Sequence, residues 1–325
     1  MRALFLALPH LVGCLSEGAS ALPTPKDHVV DAFVAASPTE VDVLWVIDDS
    51  VSMIRVQDTL ASAVEGFFEG YGAADVHVGL TTTDLDDESA GVVTWTDGDC
   101  LADEECLGMW QATLQVGNAG DDQERGLGAG LAAWSSPLVD TTNAGFAREG
   151  ARHVLAVVSD EEDCTGGTGA TGESCYDMAT LAPSPLLTPI DDVLLAFHAL
   201  DPAGELQVSG IFGTSPYSCD FAVPSVRYLE AVVRTGGSAR DICGLATDVE
   251  ASLADIATSA VAVSDRFRLT EAADPASLDV VVDGLSVSED ATNGWTYDAA
   301  LWMVVLHGTA RPGEGVTVTV DYTPL

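Results

Sequence analysis

Val41-Asp42-Val43-Leu44-Trp45-Val46-Ile47-Asp48-Asp49-Ser50-Val51-Ser52-Met53 is the stretch on which the reading of the chain turns. Its first half is a run of mainly β-branched and aromatic residues, uncharged after Asp42, and reads as a central strand buried on both faces. The run stops at Asp48, and Ser50 and Ser52 follow at alternate positions. One carboxylate and two hydroxyls turned towards a common point make an oxygen-rich site for a hard divalent cation such as Mg²⁺. The structural alternative is that Asp48 and the serines only cap the helix that follows.

Working outward, Arg152-His153-Val154-Leu155-Ala156-Val157-Val158-Ser159-Asp160 is a second apolar run that ends in a carboxylate. Open parallel sheets place their ligands at the carboxyl ends of strands, so Asp160 joins the candidate set. Between the two runs, Gly117-Asn118-Ala119-Gly120-Asp121-Asp122-Gln123-Glu124-Arg125-Gly126-Leu127 leads into a helix, and Asn118 or Asp121 offers a further oxygen. The glycines of Gly126-Leu127-Gly128-Ala129-Gly130 do not form a nucleotide loop. No Gly-Lys-Ser/Thr follows, and the segment succeeds an acidic loop instead of a strand.

The Asp48-x-Ser50-x-Ser52 pattern after an apolar strand resembles the first motif of the von Willebrand factor A (VWA) family, where it forms a metal-ion-dependent adhesion site, or MIDAS. Asp160 matches the third motif of that family. The second is a Thr-bearing loop; this chain has no threonine there, so Asn118 or Asp121 would substitute, and the departure bears on ligand switching. The run Val158-Ser159-Asp160-Glu161-Glu162-Asp163-Cys164 and the Glu124-x-Gly126-Leu127 pattern resemble VWA-domain lipoproteins of myxobacteria and their relatives. The resemblance covers roughly residues 40 to 263. It implies a doubly wound, mostly parallel VWA/Rossmann-like α/β sheet with a Mg²⁺ (or Mn²⁺/Ca²⁺) site. It also implies adhesion to a protein ligand whose Asp or Glu completes the metal shell, and it supplies no enzymatic activity.

Composition narrows the partners. The chain has 325 residues, of which 47% are hydrophobic, enough for a medium α/β domain plus a small second unit. Its net charge is −39, and Lys26 is the single lysine. Such a surface repels nucleic-acid phosphates and anionic lipid heads and attracts cations. Met1-Arg2, the apolar Ala3 to Val12 and Leu11-Val12-Gly13-Cys14 resemble a bacterial lipoprotein signal, with Cys14 acylated. The apolar run is too short to span a bilayer, so the membrane is reached through the lipid alone. Leu15 after the cysteine, by resemblance to enterobacterial sorting, implies the outer membrane, with the protein periplasmic or surface-facing.

The expected organisation is a signal peptide over 1–13, a tether over 14–40, the α/β domain over 41–263 and a small β unit over 264–325. Helices are expected over Ile54 to Tyr71, Pro189 to Leu200 and Asp248 to Val263, and Asp84 to Gly108 reads as a long acidic loop or hairpin. After Ser264 the pattern alternates, with Val316, Val318 and Val320 on one face, which gives an all-β appendage. Without Cys14, six cysteines remain in an exported chain. Their nearest-neighbour pairing, Cys100 with Cys106, Cys164 with Cys175 and Cys219 with Cys243, is the expectation among many connectivities. Scattered single histidines and no C-x-x-C spacing argue against zinc. No Gly-x-Ser-x-Gly or other catalytic motif occurs, so the expected role is binding and not catalysis. Two other readings remain: a scaffold whose cation only stabilises loops, and a metal-assisted hydrolase.

Overall fold

The computed structural model describes residues 28–86, 89–98, 100–120, 123–166, 175–177, 180, 182–202, 205–214 and 219–325. The expected signal peptide, Cys14 and Asp121 lie outside the described residues. In chain order the elements begin with β1 (Val29–Val34), β2 (Glu40–Ile47), α1 (Ile54–Ser62), β3 (Asp75–Thr82) and β4 (Thr94–Thr96). They continue through α2 (Glu104–Thr113), α3 (Gly126–Trp134), β5 (Arg152–Val158), α4 (Ile190–Leu200), β6 (Glu205–Phe212) and α5 (Val226–Thr235). Then come β7 (Ala239–Asp241), α6 (Leu245–Ala260), β8 (Arg266–Arg268), β9 (Asp279–Val282), β10 (Leu285–Val287), β11 (Trp295–Asp298), β12 (Met303–Leu306) and β13 (Thr317–Tyr322).

The main sheet has six strands in the order β4-β3-β2-β5-β6-β7. All its pairings are parallel except that of the short edge strand β4 with β3. Period-2 alternation sends the residues of β2 to two separate cores. Val43, Trp45 and Ile47 pack with Leu60 of α1, Trp110 of α2 and Leu253 and Ile256 of α6. Leu44 and Val46 pack with Leu127 of α3, Leu194 of α4 and Tyr228 of α5 on the opposite face. Every residue of β2 after Glu40 is buried, which explains why the run carries no polar face. The strand order reverses at β2, the point where open α/β sheets form their ligand crevice.

Two further sheets are antiparallel: β1-β13-β9-β10 and β11-β12-β8. They share a third core around Phe267, Val304, Val318 and Tyr322. Here the structure differs from the expected tether over 14–40. Residues Val29–Val34 form β1 and pair along their length with Thr317–Tyr322, so the β appendage is built from both ends of the sequence. Val29, Asp31 and Phe33 of β1 turn inward, and Asp31 is satisfied by the Thr270 amide (2.8 Å) and hydroxyl (2.9 Å) and by the Tyr322 hydroxyl (2.9 Å). Val30 and Val34 point to solvent.

The segment Asp84 to Gly108 is also more ordered than a loop. It contains β4 and the start of α2, whose N-cap Asp103 accepts the amides of Glu105 and Cys106. The helix expected over Ile54 to Tyr71 ends at Ser62 and resumes as a 3-10 turn at Val64–Phe67. Disulfides join Cys100–Cys106, Cys164–Cys175 and Cys219–Cys243. Bonds of this kind persist in an oxidising compartment outside the cytoplasm. No helix among the described residues is long and apolar enough to cross a membrane.

Candidate functional site

The loop after β2 and the loop after β5 leave the sheet side by side, because the two strands pair in register from Val41 with Arg152 to Ile47 with Val158. Asp48 and Asp160 therefore emerge at the same edge, and both are buried. Asp48 Oδ1 accepts the Ser50 amide at 2.8 Å and its Oδ2 accepts the Ser159 hydroxyl at 2.7 Å. The hydroxyls of Ser50 and Ser52 lie 2.9 Å apart, and Ser52 donates to Asp160 Oδ1 at 3.2 Å. The four oxygen-bearing side chains of the two motifs thus form one connected cluster. Ser52 reaches solvent, and the others lie beneath it.

A third loop closes the site. The Gly120 amide donates to the Asp49 carbonyl at 3.1 Å. The buried Gln57 side chain donates to the carbonyls of Asp48 (3.1 Å) and Gly117 (2.8 Å), clamping this loop to the first. A Cβ on Gly120 would lie 2.5 Å from Asp49 Oδ1 and 3.0 Å from the Asp49 carbonyl, so a larger residue would have to displace the Asp49 side chain. Asn118 is exposed on this loop, and its side chain joins none of these hydrogen bonds. The loop's buried acid is Glu124, which is 1% exposed. Its Oε2 accepts the Thr83 hydroxyl from the end of β3, and its Oε1 has no hydrogen-bond partner among the described residues.

Charge is the central tension of the site. Burial raises the Glu124 carboxyl to about 10, and the charges of Asp48, Glu161 and Asp49 push the same way. Burial and the charge of Asp48 raise Asp160 to about 6. Asp48 is raised by burial, against the hydrogen bonds from Ser159 and Ser50. Several carboxylates held together away from water disfavour their own ionised forms. A divalent cation would remove that penalty, and an Asp–Ser–Ser–Asp–Glu oxygen set suits Mg²⁺, Mn²⁺ or Ca²⁺. The donor chemistry suits such an ion, although among the described residues no three acidic, histidine or cysteine side chains stand close enough together to hold one, and the partnerless oxygen of Glu124 is the nearest buried addition to the set.

The remaining acids of the Asp160–Asp163 run have different tasks. Glu162 accepts the amides of Val226 (2.6 Å) and Arg227 (3.1 Å), which caps the amino end of α5. Asp163 accepts the Leu127 amide at 3.2 Å at the start of α3 and pairs with Arg227 Nε at 2.9 Å. One acidic run therefore divides into a site residue and the caps of two helices. Thr83, Gln57 and Ser159 are not among the site residues expected from the sequence, and Glu124 enters there only through the Glu124-x-Gly126-Leu127 pattern and not as a ligand. The signal for Glu124 was its place immediately before an apolar helix, at the end of an acidic run that otherwise reads as solvated surface.

No protein-family model matches the chain, and no curated protein matches it. Among solved structures it is similar to the pilus adhesin SpaC from Lactobacillus rhamnosus GG, at 13% identity and a TM-score of 0.43, over 91% of this chain and 41% of that one. It is also similar to the pilus adhesin RrgA from Streptococcus pneumoniae, at 9% identity and a TM-score of 0.36, over 91% of this chain and 58% of that one. Proximal thread matrix protein 1 from the mussel byssus is similar at 12% identity and a TM-score of 0.34, over 74% of this chain and 51% of that one. The chain spans less than two thirds of the length of each.

Proposed function

We propose that the chain is a VWA-type binding protein that engages a protein ligand through a divalent cation held in a MIDAS-like site. The observation that carries this reading is the Asp48–Ser50–Ser52–Asp160 cluster, assembled from two adjacent strand ends at the point where the strand order reverses. Asp48, Ser50, Ser52 and Asp160 hold the ion directly or through water, and Glu124 takes the place that the family gives to threonine. Asn118 remains as an outer oxygen on the same loop. The bound cation supplies a Lewis-acidic contact for a carboxylate of the partner. The chain's own residues fix the loops, through Gln57, and shield the buried acids from water. Helices on both faces of the sheet and its strand order support a doubly wound VWA architecture over 41–263.

The role is binding and not catalysis. The Ser50 hydroxyl lies against that of Ser52, and no histidine hydrogen-bonds to it among the described residues. Lipidation at Cys14 and an outer-membrane position belong to the same proposal, supported by the Leu-Val-Gly-Cys sequence and by disulfides suited to an oxidising compartment. The test is a Mn²⁺ titration followed by electron paramagnetic resonance at about 150 mM NaCl, where salt screens the diffuse attraction of the acidic surface. The expected result is one saturable site that weakens at least tenfold in Asp48→Asn and in Glu124→Gln. Equal binding by wild type and both variants would refute it. Ligand capture that resists chelation would separate a scaffold from an adhesive site.

A further inference from the structure

The cation cluster draws on a third strand end. β3 runs beside β2 in parallel register from Glu40 with Asp75 to Ile47 with Thr82, as β5 does on the other side from Val41 with Arg152 to Ile47 with Val158. The residues that come next on the three strands are Thr83, Asp48 and Ser159. All three are 0% exposed. A hydroxyl buried this deeply is unfavourable unless it is paired. Ser159 donates its hydroxyl to Asp48 Oδ2 at 2.7 Å, and Thr83 donates its own to Glu124 Oε2. Ser52 likewise donates to Asp160 Oδ1 at 3.2 Å. The acids Asp48, Asp160 and Glu124 therefore each have one oxygen held by a hydroxyl from elsewhere in the chain.

Glu124 depends on this hold more than the others. Its backbone is fixed on both sides: the Cys164 amide donates to its carbonyl at 2.7 Å, and the Arg125 amide donates to the Thr83 carbonyl at 3.3 Å. These bonds place the Cα but leave the carboxyl at the end of a long, rotatable side chain. Asp48 has a second restraint, the Ser50 amide on Oδ1 at 2.8 Å. Among the described residues the Glu124 carboxyl has the Thr83 hydroxyl alone, and its Oε1 has no partner. One hydroxyl thus decides which carboxyl oxygen is engaged and which is free. Groups that orient a metal ligand from behind are worth about 10–100-fold in affinity.

We propose that Thr83 is a positioning residue of the cation site: from the end of β3 it holds Oε2 of Glu124 and so leaves Oε1 as the oxygen offered to the ion. Thr83 does not touch the ion itself. The proposal rests on the cation-binding reading given above, and it adds the group that lets a glutamate serve where the VWA pattern has a threonine.

The test is the Mn²⁺ titration by electron paramagnetic resonance, on the full chain at about 150 mM NaCl. Thr83→Val keeps the shape of the side chain and removes the hydroxyl, and it should weaken binding about tenfold. Thr83→Ser keeps the hydroxyl and should bind within about twofold of wild type. Glu124→Met removes the acid at similar length. In that background Thr83→Val should change affinity by less than about twofold, because its effect passes through the carboxylate. Urea unfolding in chelator checks that each variant is folded, and Thr83→Ala takes the place of Thr83→Val if the latter does not fold. A folded Thr83→Val that binds like wild type overturns the proposal and leaves the cation reading standing. Thr83→Ser that binds as weakly as Thr83→Val overturns it too. So does equal weakening in the wild-type and Glu124→Met backgrounds, since Thr83 would then only support the loops. A wild type with no saturable site removes both readings.

Discussion

Replacing Asp160 with asparagine separates the electrostatics of the site from its packing. With its carboxyl raised to about 6 by burial and by Asp48, Asp160 is ionised at pH 7.5 in the folded protein at a cost. The shift from an ordinary value of 3.8 is about 2 pH units, which at about 1.4 kcal/mol each sets a ceiling near 3 kcal/mol. Asparagine keeps an oxygen for the Ser52 hydroxyl and removes the charge. In chelator, Asp160→Asn should therefore be more stable than wild type by about 1–3 kcal/mol. The sign of the pH dependence follows: a carboxyl raised in the folded state destabilises above about pH 6, and the loss is recovered as pH falls towards 3.8. With Mg²⁺ at about a hundred times its dissociation constant, the wild type gains about 2.7 kcal/mol and the variant gains nothing, so the order of stabilities narrows or reverses. The assay is urea unfolding with and without Mg²⁺, with the exposed Asp192→Asn as the control for net charge. A variant less stable than wild type in chelator, or one stabilised equally by Mg²⁺, would refute the reasoning.

Other outcomes follow from single contacts. Glu162→Ala removes the acceptor for the Val226 and Arg227 amides and should cost about 1–2 kcal/mol in urea unfolding, with Glu162→Gln milder. His198 should titrate near 4 by NMR in the absence of added anions; a midpoint near 6.5 would contradict its burial. Because its folded value is depressed, the unfolded chain takes up the proton first, and stability is lost as pH falls from 6.5 towards 4. Deleting residues 28–35 strips β1 from β13 and should make the appendage sensitive to proteolysis while Mn²⁺ binding at the strand ends persists.

The two Asp-terminated strands were legible because a strand buried on both faces has an unmistakable apolar run. Their adjacency was an expectation of the family resemblance alone, since strand order depends on which faces the helices cover and not on local pattern. Glu124 was hidden by its company: Asp121, Asp122 and Gln123 make it look solvated, and only the fold turns its side chain inward. The six-residue strand β1 was missed for a sharper reason. Its polar Asp31 sits between Val29 and Phe33 on the core side while Val30 and Val34 face water, so neither face reads as purely apolar or purely polar, and its partner strand lies almost the whole chain away. The helix α2 was missed because Trp110 is its one buried residue, too few to mark a face.

The pairing of β1 with β13 has a mechanical meaning. A pull applied upstream of Val29 travels along β1 and, after a short connection, into β2, whose far end carries Asp48. Were the chain held upstream and gripped at Asp48, β1 and β2 would lie on one covalent line between the two points, and any slip of β1 would have to shear the antiparallel β1–β13 ladder. The β appendage would then act as a brake on that line, with the central strand as its cable.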